Sequence, residues 1–236
     1  MRNEERVLFQ NEGCMVINKM AGESSEFPEI GSEVGCKFPV AVHRLDTPVS
    51  GCLLLARTAE VAACLGDAFS RAAKADGSEK GGIDKRYWAI VEKPLAELPE
   101  EGELVHWLYE NKKLNKSFAE PWVEGEAPRK EKYAPPKKAV LRYRVTGQGK
   151  NYVFLEIDLV TGRHHQIRAQ LAALGLHIKG DLKYGAKRSE QGGGIRLHAR
   201  SLAFPNPLDP REIIRVSAEP PLKDPLWEAF AESHSA

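Results

Sequence analysis

The sequence predicts an α+β protein, with a mixed, mainly antiparallel central β-sheet flanked by helices. Strand-like runs follow one another with few helices between them, the arrangement that sets helices against a mixed or antiparallel sheet. One run, GCLLLAR at 51–57, is apolar almost throughout, as a strand covered on both faces must be. Two helical patterns each come directly after a strand, so each can fold back onto the sheet.

In chain order, VLFQNEGCMVIN at 7–18 reads as two short strands around an Asn-Glu-Gly turn. After the buried strand at 51–57, Thr58 can cap a helix and Glu60 suits its first turn. Val61, Leu65, Ala68, Phe69 and Ala72 then recur at helical spacing, and the Gly/Lys-rich stretch 77–82 ends the helix. KRYWAIVE at 85–92 alternates Tyr87, Ala89 and Val91 against Arg86, Trp88 and Ile90, the pattern of a half-buried strand with Tyr87 and Trp88 on opposite faces. A variable, basic section at 108–138 precedes a hairpin of AVLRYRV and YVFLEIDLV around Gly147 and Gly149, with Val153, Leu155, Ile157 and Leu159 on one face. TGRHHQIRAQLAALG follows as a glycine turn and a helix striped by Ile167, Leu171 and Leu174, with Gly175 as its C-terminal cap and Arg168 projecting from it. IRLHARSLAF adds a strand, GGG at 192–194 reads as a flexible loop, and a proline-rich segment to 225 leads to a short tail helix. No repeat or domain boundary interrupts the 236 residues, so 1–236 is expected to be one domain.

Composition narrows the function classes. No stretch approaches the roughly 18 apolar residues of a membrane span, and the charged start MRNEERVLFQ does not suit a secretory signal, so a cytoplasmic protein without a membrane partner is expected. Cys14, Cys36, Cys52 and Cys64 form no CxxC pair; Cys52 and Cys64 sit in apolar sequence that suits buried, reduced thiols. The net charge of +1 conceals an asymmetry: residues 108–150 and 160–200 each carry +6, and the rest of the chain is acidic. Concentrated positive charge is what a polyanion-binding face requires, although PRKEKYAPPKK at 128–138 also suits a solvated loop. A phosphate loop, GxGxxG and HExxH are all absent. The adjacent His164 and His165 should point apart, with no Cys or carboxylate at ligand spacing, so no metal site is expected.

Asp46, in HRLDTPVSG, then stands out as an acid set between two bases and a proline turn, at the mouth of a buried strand. A lone Asp in that place is ordinarily a turn or cap residue. With a basic helix residue such as Arg168 beside it, the same carboxylate becomes a usable nucleophile.

The ordered set HRLDTPVSGCLLLAR, KRYWAIV, TGRHHQIRAQL, HIKGDLKYG and RLHA, preceded by VLFQNEGCMVINKMAG, resembles the RluA-like pseudouridine synthases over about residues 7–204. The resemblance implies an enzyme that isomerises uridine to pseudouridine in structured tRNA or rRNA, with RNA as partner and no DNA expected. It implies Asp46 as the catalytic carboxylate, Arg168 as the base that pairs with and orients it, and Tyr87 as the ring that stacks on the uracil with its hydroxyl near C5. Arg44 resembles the arginine that enters the space left by an extruded base, and Ile167 and Leu197 resemble residues lining the uracil pocket. Of the clustered cations, Arg163, Lys112, Lys113 and Lys116 are the RNA-binding candidates. His43 is expected to shape its turn.

Isomerisation breaks the C1′–N1 bond and rejoins the uracil through C5 without an external reagent, so no cofactor is expected. Attack at C1′ and glycal formation both remain open. No second acid accompanies these motifs, which speaks against plain hydrolysis. The chain departs from the family pattern at KMAG, TPVSG and His164; none of these removes a proposed catalytic group, and the changes near 47–50 bear on target choice. Its start leaves no room for an S4-like RNA-binding domain, so a stand-alone, monomeric catalytic domain is expected. An RNA-binding module with a vestigial Asp46 and a nucleoside hydrolase are the competing readings.

Overall fold

The computed structural model describes residues 3–26, 39–74, 83–95, 97–125, 133–190, 192–220 and 224–235. The strands are β1 (Val7–Gln10), β2 (Cys14–Lys19), β3 (Val40–Ala41), β4 (Ser50–Ala56), β5 (Asp84–Glu92), β6 (Glu101–Asn111), β7 (Lys116–Pro121), β8 (Lys137–Gln148), β9 (Tyr152–Leu159), β10 (Leu197–Pro205) and β11 (Ile213–Ser217). The helices are α1 (Ala59–Lys74), α2 (Gln166–Ala173) and α3 (Pro225–Ser235). The strands form one sheet in the order β1-β2-β4-β10-β5-β9-β8-β6-β7, with β3 added to β4 and β11 to β10. Among the described pairings β4–β10 is parallel and the others are antiparallel, as the sequence predicts.

Local chemistry explains the early elements. The Asn11 carboxamide oxygen accepts hydrogen bonds from the backbone N–H groups of Gly13 (2.9 Å) and Cys14 (2.8 Å), closing the β1–β2 turn. Thr58 caps α1 by accepting from Val61 N–H. Leu65, Ala68, Phe69 and Ala72 then bury against Cys14, Val16, Cys52 and Leu54. Cys64 lies one position off that stripe and is exposed, against the buried thiol expected, whereas Cys14 and Cys52 are buried. Cys36 and the expected helix stop at 77–82 lie outside the described residues, as do 128–132 of the basic loop and 221–223 of the proline-rich segment.

Strand β5 is not half-buried. Tyr87, Ala89 and Val91 enter the core shared with α2, while Trp88 and Ile90 are covered by Trp227 and Phe230 of α3. The basic section contains the end of β6 and all of β7, whose outward residues interrupt the apolar pattern. Strand β8 runs through Gly147, where a loop was expected, and β11 lies between two proline-bearing segments. Leu174, at the C-cap of α2, is 40% exposed because the helix has ended before its stripe does, with Gly175 (φ +74°) turning the chain.

At the short parallel junction, Gly51 has φ +117°, and a Cβ there would lie 2.3 Å from the Ala199 carbonyl oxygen. Gly51→Ala adds backbone strain to an immovable clash, and we expect a loss of at least about 3 kcal/mol in chemical denaturation. An alanine variant of wild-type stability would contradict this geometry.

Candidate active site

The loop 42–49 carries Asp46 across the mouth of a cleft of about 550 Å³. Its backbone is held from several sides. Leu45 N–H donates to Ser25 Oγ, which donates back to the Leu45 carbonyl, and Ile195 N–H donates to Pro48 O. The fully buried Lys19 donates through Nζ to the carbonyls of Met20 (2.9 Å), Glu23 (2.8 Å) and Thr47 (3.2 Å), and Gly22 N–H also reaches Thr47 O. Burial pushes the Lys19 pKa down to about 8 even though Glu23 and Asp46 oppose the shift. Lys19 thus ties the first motif to the residue after Asp46, a role its place in NKMAG does not reveal.

Arg168 approaches from α2. Thr161, Gln166 and Gln170 fix that short helix. Thr161 Oγ donates to Gln166 Oε1, Gln166 Nε2 donates to Val140 O, and Gln170 Nε2 donates to Leu104 O. Arg168 is therefore buried rather than projecting, 4% exposed, with its guanidinium over the Tyr184 ring. Its Nη1 donates to Asp46 Oδ2 at 3.0 Å, while Nε and Nη2 grip Asp181 at 2.6 and 2.8 Å. Burial alone would lower its pKa; the hydrogen bonds and charges of Asp181, then of Asp46, push it up instead, so the guanidinium stays charged. Asp181 corrects the expectation that no second acid accompanies the motifs. It belongs to HIKGDLKYG, but it lies behind the guanidinium and does not line the cleft.

The cleft wall brings together Arg44, Asp46, Tyr87, Arg163, Ile167, Arg168 and Leu197. Tyr87, Ile167 and Leu197 are buried; Arg44 is exposed, with Glu26 at 3.2 Å. Burial first, and the Asp46 charge second, push the Tyr87 phenol well above its ordinary pKa, so it remains protonated. Arg163 donates through Nε to Lys138 O. Lys112 and Lys113 lie outside the cleft, exposed in the β6–β7 turn. Lys116 donates to Lys183 O and packs over Phe118 and Tyr184. That turn reaches the site through Ser117 Oγ, which donates to His164 O, and through Asn115 Oδ1, 3.1 Å from His164 Nε2.

His164 and His165 do not point apart. Their rings stack at 3.9 Å because His165 takes a left-handed backbone conformation (φ 52°) at the start of α2. The expectation assumed extended backbone, in which neighbouring side chains alternate. His165 Nε2 comes within 3.6 Å of Asp46, and burial followed by the Arg168 charge pushes its pKa down to about 2, so it is neutral there. His43 shapes its turn as expected, accepting from Leu54 N–H and stacking on Phe69, with burial lowering its pKa to about 3. His198 is fully buried between Ser50 and Ala218 O, its pKa lowered to about 4, again chiefly by burial.

These three histidines give a pH prediction. An unfolded histidine takes up a proton near pH 6.5, whereas these remain neutral when folded, so stability present above 6.5 is lost as pH falls from there toward 4. Each contributes up to about 1.4 kcal/mol per pH unit. A melting temperature several degrees lower at pH 5 than at pH 7 is expected; a flat profile would contradict the assignment.

Residues 15–173 match the sequence profile of a family described as RNA pseudouridylate synthase. An uncharacterized RNA pseudouridine synthase of Zymomonas mobilis is 32% identical across 97% of this chain and 96% of its own. A tRNA pseudouridine synthase C of Vibrio vulnificus is 29% identical across 96% and 94%. A ribosomal large subunit pseudouridine synthase D of Zymomonas mobilis is 26% identical across 88% and 67%. Among solved structures, the human RNA pseudouridylate synthase domain-containing proteins 1 and 4 share the fold, with TM-scores of 0.68 and 0.69 at 20% identity. They cover 96% and 98% of this chain, and it spans 86% and 93% of theirs.

Proposed function

The chain belongs to the RNA pseudouridylate synthase family, and from that premise we propose that it isomerises a particular uridine of a structured tRNA or rRNA, with Asp46 as the catalytic carboxylate. The observation that carries this reading is the 3.0 Å bond from Arg168 to Asp46 at the wall of a cleft that Tyr87, Ile167 and Leu197 also line. A carboxylate held in one orientation by a charged guanidinium is suited to meet the ribose C1′ as the C1′–N1 bond breaks.

The released uracil turns and bonds to C1′ through C5. The C5 proton departs, and N1 ends with a proton taken from solvent, so atoms and charge balance. Tyr87, as a protonated phenol, suits stacking on the uracil and relaying that proton. The uridine must leave its stack to reach this cleft, at a cost of roughly a few kcal/mol. Arg44, exposed at the rim in a surface ion pair of little strength, is free to exchange Glu26 for RNA. Arg163 within the cleft and Lys112, Lys113 and Lys116 beside it supply attraction to the phosphate backbone. We read the whole chain as one catalytic domain acting as a monomer, because every residue in this scheme comes from one sheet, its helices and the loops that join them.

Relatives named for transfer and for ribosomal RNA are both similar, so both RNAs belong in the assay. RNA carrying tritium at uridine C5 should lose the label to solvent on incubation with the protein. No release from either RNA class would overturn the proposal.

A further inference from the structure

Lys85 is a cation in the cleft that this scheme leaves without a task. It lies on β5 two positions before Tyr87, so both side chains leave the same face of the strand, about 7 Å apart along it. Among the described residues its ammonium makes no hydrogen bond and no ion pair. Asp67, exposed on the α1 wall of the same cleft, is beyond ion-pairing distance. The neighbouring charge that acts on Lys85 is another cation, Arg163; burial and that repulsion together push its pKa down to about 8. The ammonium rests against the TGR turn, and a Cβ on Gly162 would come to 3.1 Å from Nζ. An ammonium buried in the cleft with no counter-ion among the described residues disfavours the folded protein unless a ligand supplies the missing charge.

We propose that Lys85, with Arg163 beside it, holds a backbone phosphate flanking the target uridine while Tyr87 carries its base. This deepens the reading above and rests on it. The strand spacing suits the task, because one nucleotide laid along β5 would present its base to the ring and a phosphodiester to the ammonium. Tyr87 feels the charge of Asp46, whereas Lys85 feels that of Arg163, so the reacting carbon belongs to one end of the strand segment and the phosphate to the other.

The test uses the full-length protein and an RNA stem-loop from which it releases tritium. Single neutral methylphosphonates are placed in turn at the linkages around the target uridine. Lys85→Met should raise KM about tenfold, the worth of one hydrogen bond to a charged group. It should also flatten the dependence of log affinity on log salt by about one unit. Neutralising one particular linkage should cost wild type the same factor and cost Lys85→Met nothing further. Lys85→Arg should recover most of the loss, and the melting temperature of Lys85→Met should equal or exceed that of wild type. The proposal is overturned if Lys85→Met leaves KM and salt slope unchanged, if its loss multiplies with that of every methylphosphonate, or if it melts lower and arginine does not restore function. Should wild type release no tritium from any RNA, the reading of the reaction falls instead, and the same criteria are then applied to equilibrium binding of the stem-loop.

Discussion

Asp46→Asn is expected to slow tritium release from C5-labelled RNA by at least about 10³-fold, the scale on which removal of a nucleophile acts. The substitution keeps the shape of the side chain and an oxygen that can accept from Arg168, whose charge is still met by Asp181. Stability should therefore change by no more than about 1 kcal/mol. RNA affinity should hold or rise, since the change removes a negative charge from a cleft that receives a polyanion. Loss of activity with stability and affinity intact separates a catalytic carboxylate from a turn residue. An Asn variant with near-normal activity would instead favour a role in turn formation alone.

Arg168→Met should be the most damaging change to folding at the site. It leaves Asp181, 2% exposed, buried without its cation, and breaking such a pair costs about 3–5 kcal/mol. Chemical denaturation should show that loss, and tritium release should fall to the level of the Asp46 variant because the carboxylate has lost the group that orients it. The double variant Arg168→Met/Asp181→Leu discriminates between the two effects. Replacing both buried charges should restore much of the stability and none of the activity. Recovery of activity along with stability would mean that Arg168 serves the fold and not the reaction.

Periodicity made much of the framework legible. The apolar run of β4, the alternation in β9 and the helical spacing in α1 each report burial that neighbouring residues share, and the cap residues Thr58 and Gly175 act within a few positions of themselves. Strands β6 and β7 were obscured because one face buries His106 and Ser117 while the other carries charge, so their alternation is not one of apolar against polar. The second face of β5 reads as exposed in the sequence because its cover, α3, lies more than 130 residues further along the chain.

The sequence by itself determined the mixed sheet, the helix bearing Arg168 and the identity of the chemically capable groups, because propensity, period and motif order are properties of short stretches. Which groups meet was decided by the tertiary structure. Asp181 behind Arg168, Lys19 beneath Thr47, His165 beside Asp46 and Lys85 against the turn at Gly162 are contacts fixed by sheet order and by one left-handed residue. Electrostatic energy depends on distance and burial, and neither can be read from positions along a chain.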